Sequence, residues 1–153
     1  MLFNASCGME FDKHGSAGYL ANHMARLFAQ GLQERIRPLG IAPAQFMLLL
    51  ELWREEGISQ RDLVERLDVE QATIANTLAR MERDGLITRV AHKGDARVKL
   101  IRLTGKAREI EREAVAAAWA QNAAALESLS DEERLVFLDL MRRVIGAMQA
   151  PAG

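Results

Sequence analysis

A chain of 153 residues with 49% hydrophobic content can close one core without staples, and its single cysteine, Cys7, excludes an internal disulfide framework. A net charge of −1 excludes a protein that is basic all over, so contact with nucleic acid requires a local concentration of positive charge. Only 5% of residues are aromatic, Ala is plentiful, and no run approaches the roughly 20 apolar residues of a membrane span, which together predict a mainly helical, cytoplasmic protein with no membrane partner.

In chain order, residues 1–15 carry Gly8 and Gly15 without a clear period and read as a flexible arm. Leu20, Met24, Leu27, Phe28, Gly31 and Ile36 give residues 16–37 a helical apolar stripe that Pro38-Leu39-Gly40 stops. Pro43 suits the first position of the next helix, and Ala42 before it lacks the cap oxygen that is worth roughly 1 kcal/mol, so a frayed start is expected. Phe46, Leu49, Leu50 and Trp53 are the predicted inner face of that helix, Gly57 follows its end, and Ile58 is expected to add a short third strand beside the hairpin described next.

Ser59-Gln60-Arg61-Asp62 is a capping box for a short helix, and Leu67-Asp68-Val69 turns the chain. From Glu70 to Asp84 the spacing of Ile74, Leu78 and Met81 predicts a longer helix with one buried face. Its opposite face carries Gln71, Ala72, Ala75, Asn76, Ala79, Arg80 and Arg83. Small residues there permit close approach, and amide and guanidinium groups pair with adenine and guanine edges in a major groove. Gly85 ends the helix. Residues 86–90 and 98–103 are β-branched or alternating runs joined through the polar tip His92-Lys93-Gly94-Asp95-Ala96-Arg97, a hairpin in which Arg89, Lys93, Arg97, Lys99 and Arg102 face Asp95 alone. His92 is expected to add to the positive character of the tip.

Thr104 is placed to cap an Ala-rich helix running to about Ser128, and Ser130-Asp131-Glu132-Glu133 boxes the last one, striped by Leu135, Leu138, Met141, Val144, Ile145 and Met148. A single copy would leave the apolar stripes of the terminal helices partly uncovered, and a two-fold dimer is the economical cover. Such a dimer pairs two recognition helices about one DNA turn apart, as an inverted repeat requires.

The run from Arg80 through Gly85 to Arg89, then Asp95-Ala96-Arg97 and Leu103-Thr104, resembles the recognition-helix end and wing of the MarR family of bacterial transcriptional regulators, and residues 19–153 follow that family's order of helices. The resemblance implies a mainly α fold: a winged helix-turn-helix lobe (43–103) with a two- or three-stranded β wing, plus N- and C-terminal dimerisation helices (16–37 and 104–149), all within one domain spanning 16–153. It implies a ligand-responsive repressor that binds an inverted-repeat, double-stranded DNA operator as a homodimer. Gln71, Thr73, Asn76, Thr77, Arg80, Arg89, Lys93, Asp95, Arg97 and Lys99 are the expected DNA-binding set, with Asp95 orienting the wing turn and Arg97 reaching a minor groove. Members also bind small aromatic or phenolic compounds between the dimer helices and the lobe, which makes Tyr19, His23, Phe46 and Trp53 the candidate effector site.

Other classes find less in the sequence. There is no Gly-rich phosphate cradle before a helix, no G-x-S-x-G and no H-E-x-x-H, so no enzyme and no cofactor is expected. His14, His23 and His92 lack the spacing of a zinc shell, and no metal is expected. Some relatives sense peroxide through a Cys inside the first helix, near the places of Gly18 and Tyr19, whereas Cys7 precedes that helix and has no close Lys or Arg in sequence to activate it. A winged-helix module that binds protein and has lost DNA is the remaining alternative, and the retained Arg80, Arg89, Lys93, Arg97 and Lys99 speak against it. Trp53, Trp119, Phe46 and Tyr19 are core residues by default.

Overall fold

Oxygen-bearing side chains open four of the helices, each accepting an N–H that the first turn leaves orphaned. In the computed structural model, which describes residues 10–151, Ser16 accepts from the Tyr19 amide (3.3 Å), Ser59 from Asp62 (3.2 Å), Thr104 from Ala107 (3.3 Å) and Ser130 from Glu133 (3.2 Å). The elements in order are α1 (Ala17–Ile36), α2 (Pro43–Arg54), β1 (Ile58–Ser59), α3 (Gln60–Leu67), α4 (Gln71–Arg83), β2 (Ile87–Ala91), β3 (Lys99–Leu103), α5 (Gly105–Glu109), α6 (Glu111–Ala125) and α7 (Asp131–Gln149). The strands form one antiparallel sheet in the order β1-β3-β2, with Ile101 opposite both Ile58 and Arg89.

Helical spacing places the core. Ile74, Leu78 and Met81 of α4 bury one stripe against Leu49 and Leu52 of α2, Leu63 of α3 and Ile87 and Ile101 of the sheet, and the end of α1 joins through Ile36. Each fully buried side chain of this size contributes about 1.5–3 kcal/mol. Asp68 holds the turn between α3 and α4 with φ 51°, a left-handed position that Asp tolerates better than most residues. Gly85, at φ 73°, turns the chain from α4 into β2, and a Cβ there would be strained.

The helices outside this lobe are less enclosed. α1 and α6 pass close enough that a Cβ on Gly31 would collide with the side-chain amide of Gln121, to which Arg35 donates at 2.9 Å. Ala107 and Ala114 are fully buried, which lets α5 and α6 approach the lobe. α7 buries no residue at all. No helix among the described residues is long and apolar enough to cross a membrane.

The structure corrects several expectations. The helix predicted from Thr104 to Ser128 is two helices, broken at Ile110. The Ala107 carbonyl, whose partner in an unbroken helix would be the Glu111 amide, instead accepts the Trp53 indole N–H at 3.0 Å. Leu50 is 38% exposed, and the inner face of α2 is made by Gln45, Phe46, Leu48, Leu49 and Leu52. Trp119 is 70% exposed rather than core. Lys13–Gly15, assigned to the flexible arm, forms a 3-10 turn capped by Asp12 and laid on Tyr19, with Lys13 Nζ 5.6 Å from the ring centroid. At the α2 start no side chain caps the first-turn amides, and Gln45 reaches back to accept the Ala42 amide at 3.0 Å. Cys7 and the rest of the arm before Glu10 lie outside the described residues.

Glu56 ties the lobe to the helices after the wing, accepting the Leu103 amide at 2.9 Å and the Arg108 guanidinium at 2.7 and 3.0 Å. Its carboxyl is held below the ordinary glutamate range, first by the Leu103 amide and then, against burial, by Arg108. A depressed folded pKa supplies stability that is complete above the ordinary value and is lost as pH falls through the folded one. Glu56→Gln should therefore cost about 1 to 2 kcal/mol in urea unfolding at neutral pH, with the gap to the unsubstituted chain closing in acid. Equal costs at neutral and acid pH would remove Glu56 from that role.

Candidate nucleic-acid interface

Successive helical residues step about 100° around the axis, so α4 separates a core face from an exposed one by single positions. Gln71, Ala72, Thr73, Asn76, Ala79, Arg80 and Arg83 are exposed, and Ala75 is half-buried at the margin. Thr77, expected on the reading face, is only 8% exposed and donates its hydroxyl to the Thr73 carbonyl at 2.9 Å. It belongs to the core side, and the reading face passes through Thr73, Asn76 and Arg80 instead.

The position of α4 is fixed by a side chain that sequence reasoning missed. Gln45, 5% exposed, donates to Asp84 Oδ2 at 3.0 Å across the lobe, and Lys106 donates to the Asp84 carbonyl at 2.8 Å. The Gln45 amide holds the Asp84 carboxyl below its usual range. A Gln three residues into a helix that lacks a cap oxygen was the available signal for the first half of this arrangement. Its reach to Asp84 joins residues 39 apart and leaves no local trace.

At the wing tip, Asp95 accepts from the Arg97 amide at 3.0 Å and from its guanidinium at 3.1 and 3.3 Å, a planar pairing that tightens the turn. The Arg97 guanidinium, then the Arg97 amide, hold the Asp95 carboxyl below the usual range. The Arg97 side chain is nevertheless 92% exposed. Lys93 and Lys99 are exposed and form no ion pair among the described residues. Arg89 differs: it is drawn back onto α4, its Nε 3.4 Å from Glu82 and without a hydrogen-bond partner among the described residues, so part of its charge is already engaged. His92 has a second part in the tip, since its Nδ1 accepts the amides of Gly94 (2.9 Å) and Asp95 (3.2 Å) and so helps to build the turn.

The four candidate effector residues form two separate pairs. Tyr19 and His23 meet edge to face at 6.2 Å on α1, and Phe46 and Trp53 do so at 6.0 Å on α2. Phe46 is buried in the lobe core and Trp53 is anchored on Ala107. None of the four lines the open cavity beside α4 or the one bounded by Glu51, Arg54, Glu55 and Arg66. One of those cavities, about 370 Å³, lies beside the C-terminal half of α4 and is walled by Arg37, Arg80 and Arg83.

Known sequences and structures share this arrangement. Residues 41–99 match the sequence pattern of the MarR family. The transcriptional regulator HosA of Escherichia coli O111:H- is 31% identical over 103 residues, covering 67% of this chain and 76% of that protein. The uncharacterized HTH-type transcriptional regulator YdgJ of Bacillus subtilis is 29% identical over 105 residues, 69% of this chain, and the match spans just under two thirds (64%) of that relative's length. The crystal structure of the PcaV transcriptional regulator from Streptomyces coelicolor, in complex with its natural ligand, superposes with a TM-score of 0.81 at 27% identity, covering 93% of this chain and 100% of that one. A winged helix-turn-helix lobe between long terminal helices, together with these sequence matches, establishes that the chain belongs to the MarR family, whose members are transcriptional regulators and not enzymes.

Proposed function

We propose that this regulator acts as a homodimer that binds an inverted-repeat operator in double-stranded DNA, and that it is a repressor released by a small effector. The observation that carries the DNA reading is the pairing of an exposed polar strip on α4 with a wing whose Arg97 is held by Asp95 yet remains 92% exposed. Asn76 and Arg80 carry the donors and acceptors that distinguish base edges, while Lys93, Lys99 and Arg97 are placed to meet phosphate and minor groove. The one-domain reading of residues 16–153, with 43–103 as the DNA-binding lobe, belongs to the same proposal.

The dimer reading rests on uncovered apolar surface. Trp119 is 70% exposed and Met148 81%, and Leu20, Leu27, Leu135, Val144 and Ile145 are exposed with them, all on α1, α6 and α7. A second copy placing the same helices against these is the closed arrangement that covers them. The effector reading is carried by the Tyr19–His23 pair, with His23 exposed on that same face, and by analogy with PcaV, which was solved with its natural ligand. Phe46, being core, is no longer part of it, and Trp53 is retained only for its half-buried edge.

Arg97→Ala should weaken operator binding by about 1 to 3 kcal/mol with helicity and oligomeric state unchanged, measured by fluorescence anisotropy and circular dichroism. Unaltered affinity would take Arg97 out of the interface. Asn76→Ala and Arg80→Ala should narrow the gap between operator and random duplex, whereas Lys99→Ala should weaken both alike. For the dimer, Ile145→Asp should shift sedimentation from dimer to monomer, and a monomeric unsubstituted chain at micromolar concentration would end the dimer reading. An aromatic acid that binds the Tyr19–His23 face should lose affinity in His23→Ala and should bind less tightly once operator is present, by the same factor by which it weakens operator binding. Equal affinity in both forms would end the effector reading.

A further inference from the structure

The cavity beside α4 is formed by three parts of the chain that the DNA-binding set above does not combine: the end of α1 with Arg37, the start of α2 with Ala42 and Gln45, and the end of α4 with Arg80 and Arg83. Three guanidinium groups line it against a single carboxylate. That carboxylate is already occupied, since Asp84 accepts from Gln45 at 3.0 Å and lies 3.4 Å from the Arg83 Nε. Arg37 and Arg80 form no ion pair among the described residues, so the cleft keeps a net positive field.

Its floor is small. Gly40, at φ 76°, and Ala42 place no side-chain oxygen there, so nothing acidic competes for the cations along that side. The cleft also stands open to solvent and lacks the aromatic walls and enclosure of a small-molecule site. Its position supplies the remaining argument. Arg80 belongs both to the exposed strip of α4 and to the cleft wall. A helix about 10 to 12 Å across fills a major groove about 12 Å wide, so a sugar-phosphate strand must run along its flank.

We propose that this cleft receives a phosphate of the DNA backbone beside the groove that α4 enters, with Arg37 and Arg83 as its clamp. They act as positioning residues: the contact carries no base information and sets how far α4 sits in the groove. This rests on the DNA-binding reading above and adds to it a contact from the 3-10 turn Arg37–Leu39 that follows α1, a helix otherwise assigned to dimerisation. Because Arg37 lies where α1 passes into the lobe, the phosphate contact depends on how α1 and the lobe are disposed.

The test is a salt series of binding to operator and to random duplex, using the full chain and its Arg37→Gln, Arg83→Gln and doubly substituted forms, with Arg112→Gln on α6 as a control. Each clamp substitution should weaken both duplexes alike, by about three- to tenfold, and should lower the slope of log affinity against log salt by about one to two, since a homodimer carries two clefts; the double substitution, which leaves both phosphates unheld, should lower it by about two. Arg112→Gln should leave both unchanged. Arg83→Gln also releases Asp84, so Arg37→Gln, which breaks no ion pair of the described chain, is the deciding variant. An unchanged slope for Arg37→Gln, or a loss confined to the operator, overturns the clamp. Inorganic phosphate binding measured by calorimetry that Arg37→Gln abolishes, while the DNA slope stays the same, assigns the cleft to a free anion and overturns it equally. Absence of any salt-dependent binding by the unsubstituted chain would instead defeat the DNA reading itself, a result that the slopes of the variants keep distinct.

Discussion

The orientation of α4 depends on Gln45, which spends both ends of its side chain on fixing helices. Its oxygen takes the Ala42 amide at the start of α2, where no cap residue exists, and its nitrogen holds Asp84 just past the end of α4. The burial of Ile74, Leu78 and Met81 would by itself allow α4 to rotate or slide by small amounts, because apolar contact is not directional. A buried amide with both partners met is directional and favours one arrangement of the two helices, and leaving the buried Gln45 amide unmet would cost about 1–3 kcal/mol. Asn76 and Arg80 project from the helix that this bond immobilises, and recognition of base edges tolerates little displacement.

Burial divides the chain into a finished part and an unfinished one. The lobe closes over fully buried residues from α2, α3, α4 and the sheet; the outer helices add Ile36, Ala107 and Ala114 to this core, with Leu32, Ile110, Ala117 and Ala118 half-buried against it. α7 contributes none. The same helices that lack a core of their own therefore remain available to a second copy, and the lobe is attached to them through a few identifiable joints: Glu56 with Arg108, Trp53 with Ala107, and Gln149, whose amide donates to Asp68 at 3.2 Å in the helix-turn-helix turn. Spacing between two lobes in a dimer would be set through these joints, which gives a ligand between helices and lobe a physical route to DNA affinity.

Local chemistry was legible in the sequence and long-range chemistry was not. The boxes at Ser59 and Ser130, the cap at Thr104, the turn at Asp68 and the helix end at Gly85 all follow from residues a few positions apart, and all stand where the spacing put them. The break at Ile110 has no local mark in the sequence, and the indole that bonds the Ala107 carbonyl beside it comes from 54 residues away. Thr77 was misplaced by one helical step beside Asn76, since both are polar and only the packed structure decides which of two adjacent polar residues turns inward. Leu50 went the other way for the same reason. Arg37 gives no local sign of DNA contact because it lies in the turn after α1, far from the wing in sequence, and the cleft that joins it to Arg83 exists only once that turn, α2 and α4 meet.

The central claim is that two copies of this chain present two α4 helices to successive turns of one duplex. Selection of binding sites from a random DNA pool by the full chain tests it most directly, because the outcome depends on dimer, recognition helix and spacing at once. The account predicts enrichment of an inverted repeat with half-site centres about one helical turn, 10 to 10.5 base pairs, or a multiple of it apart. Enrichment of isolated half-sites with no fixed partner, or no enrichment over the starting pool, would contradict it.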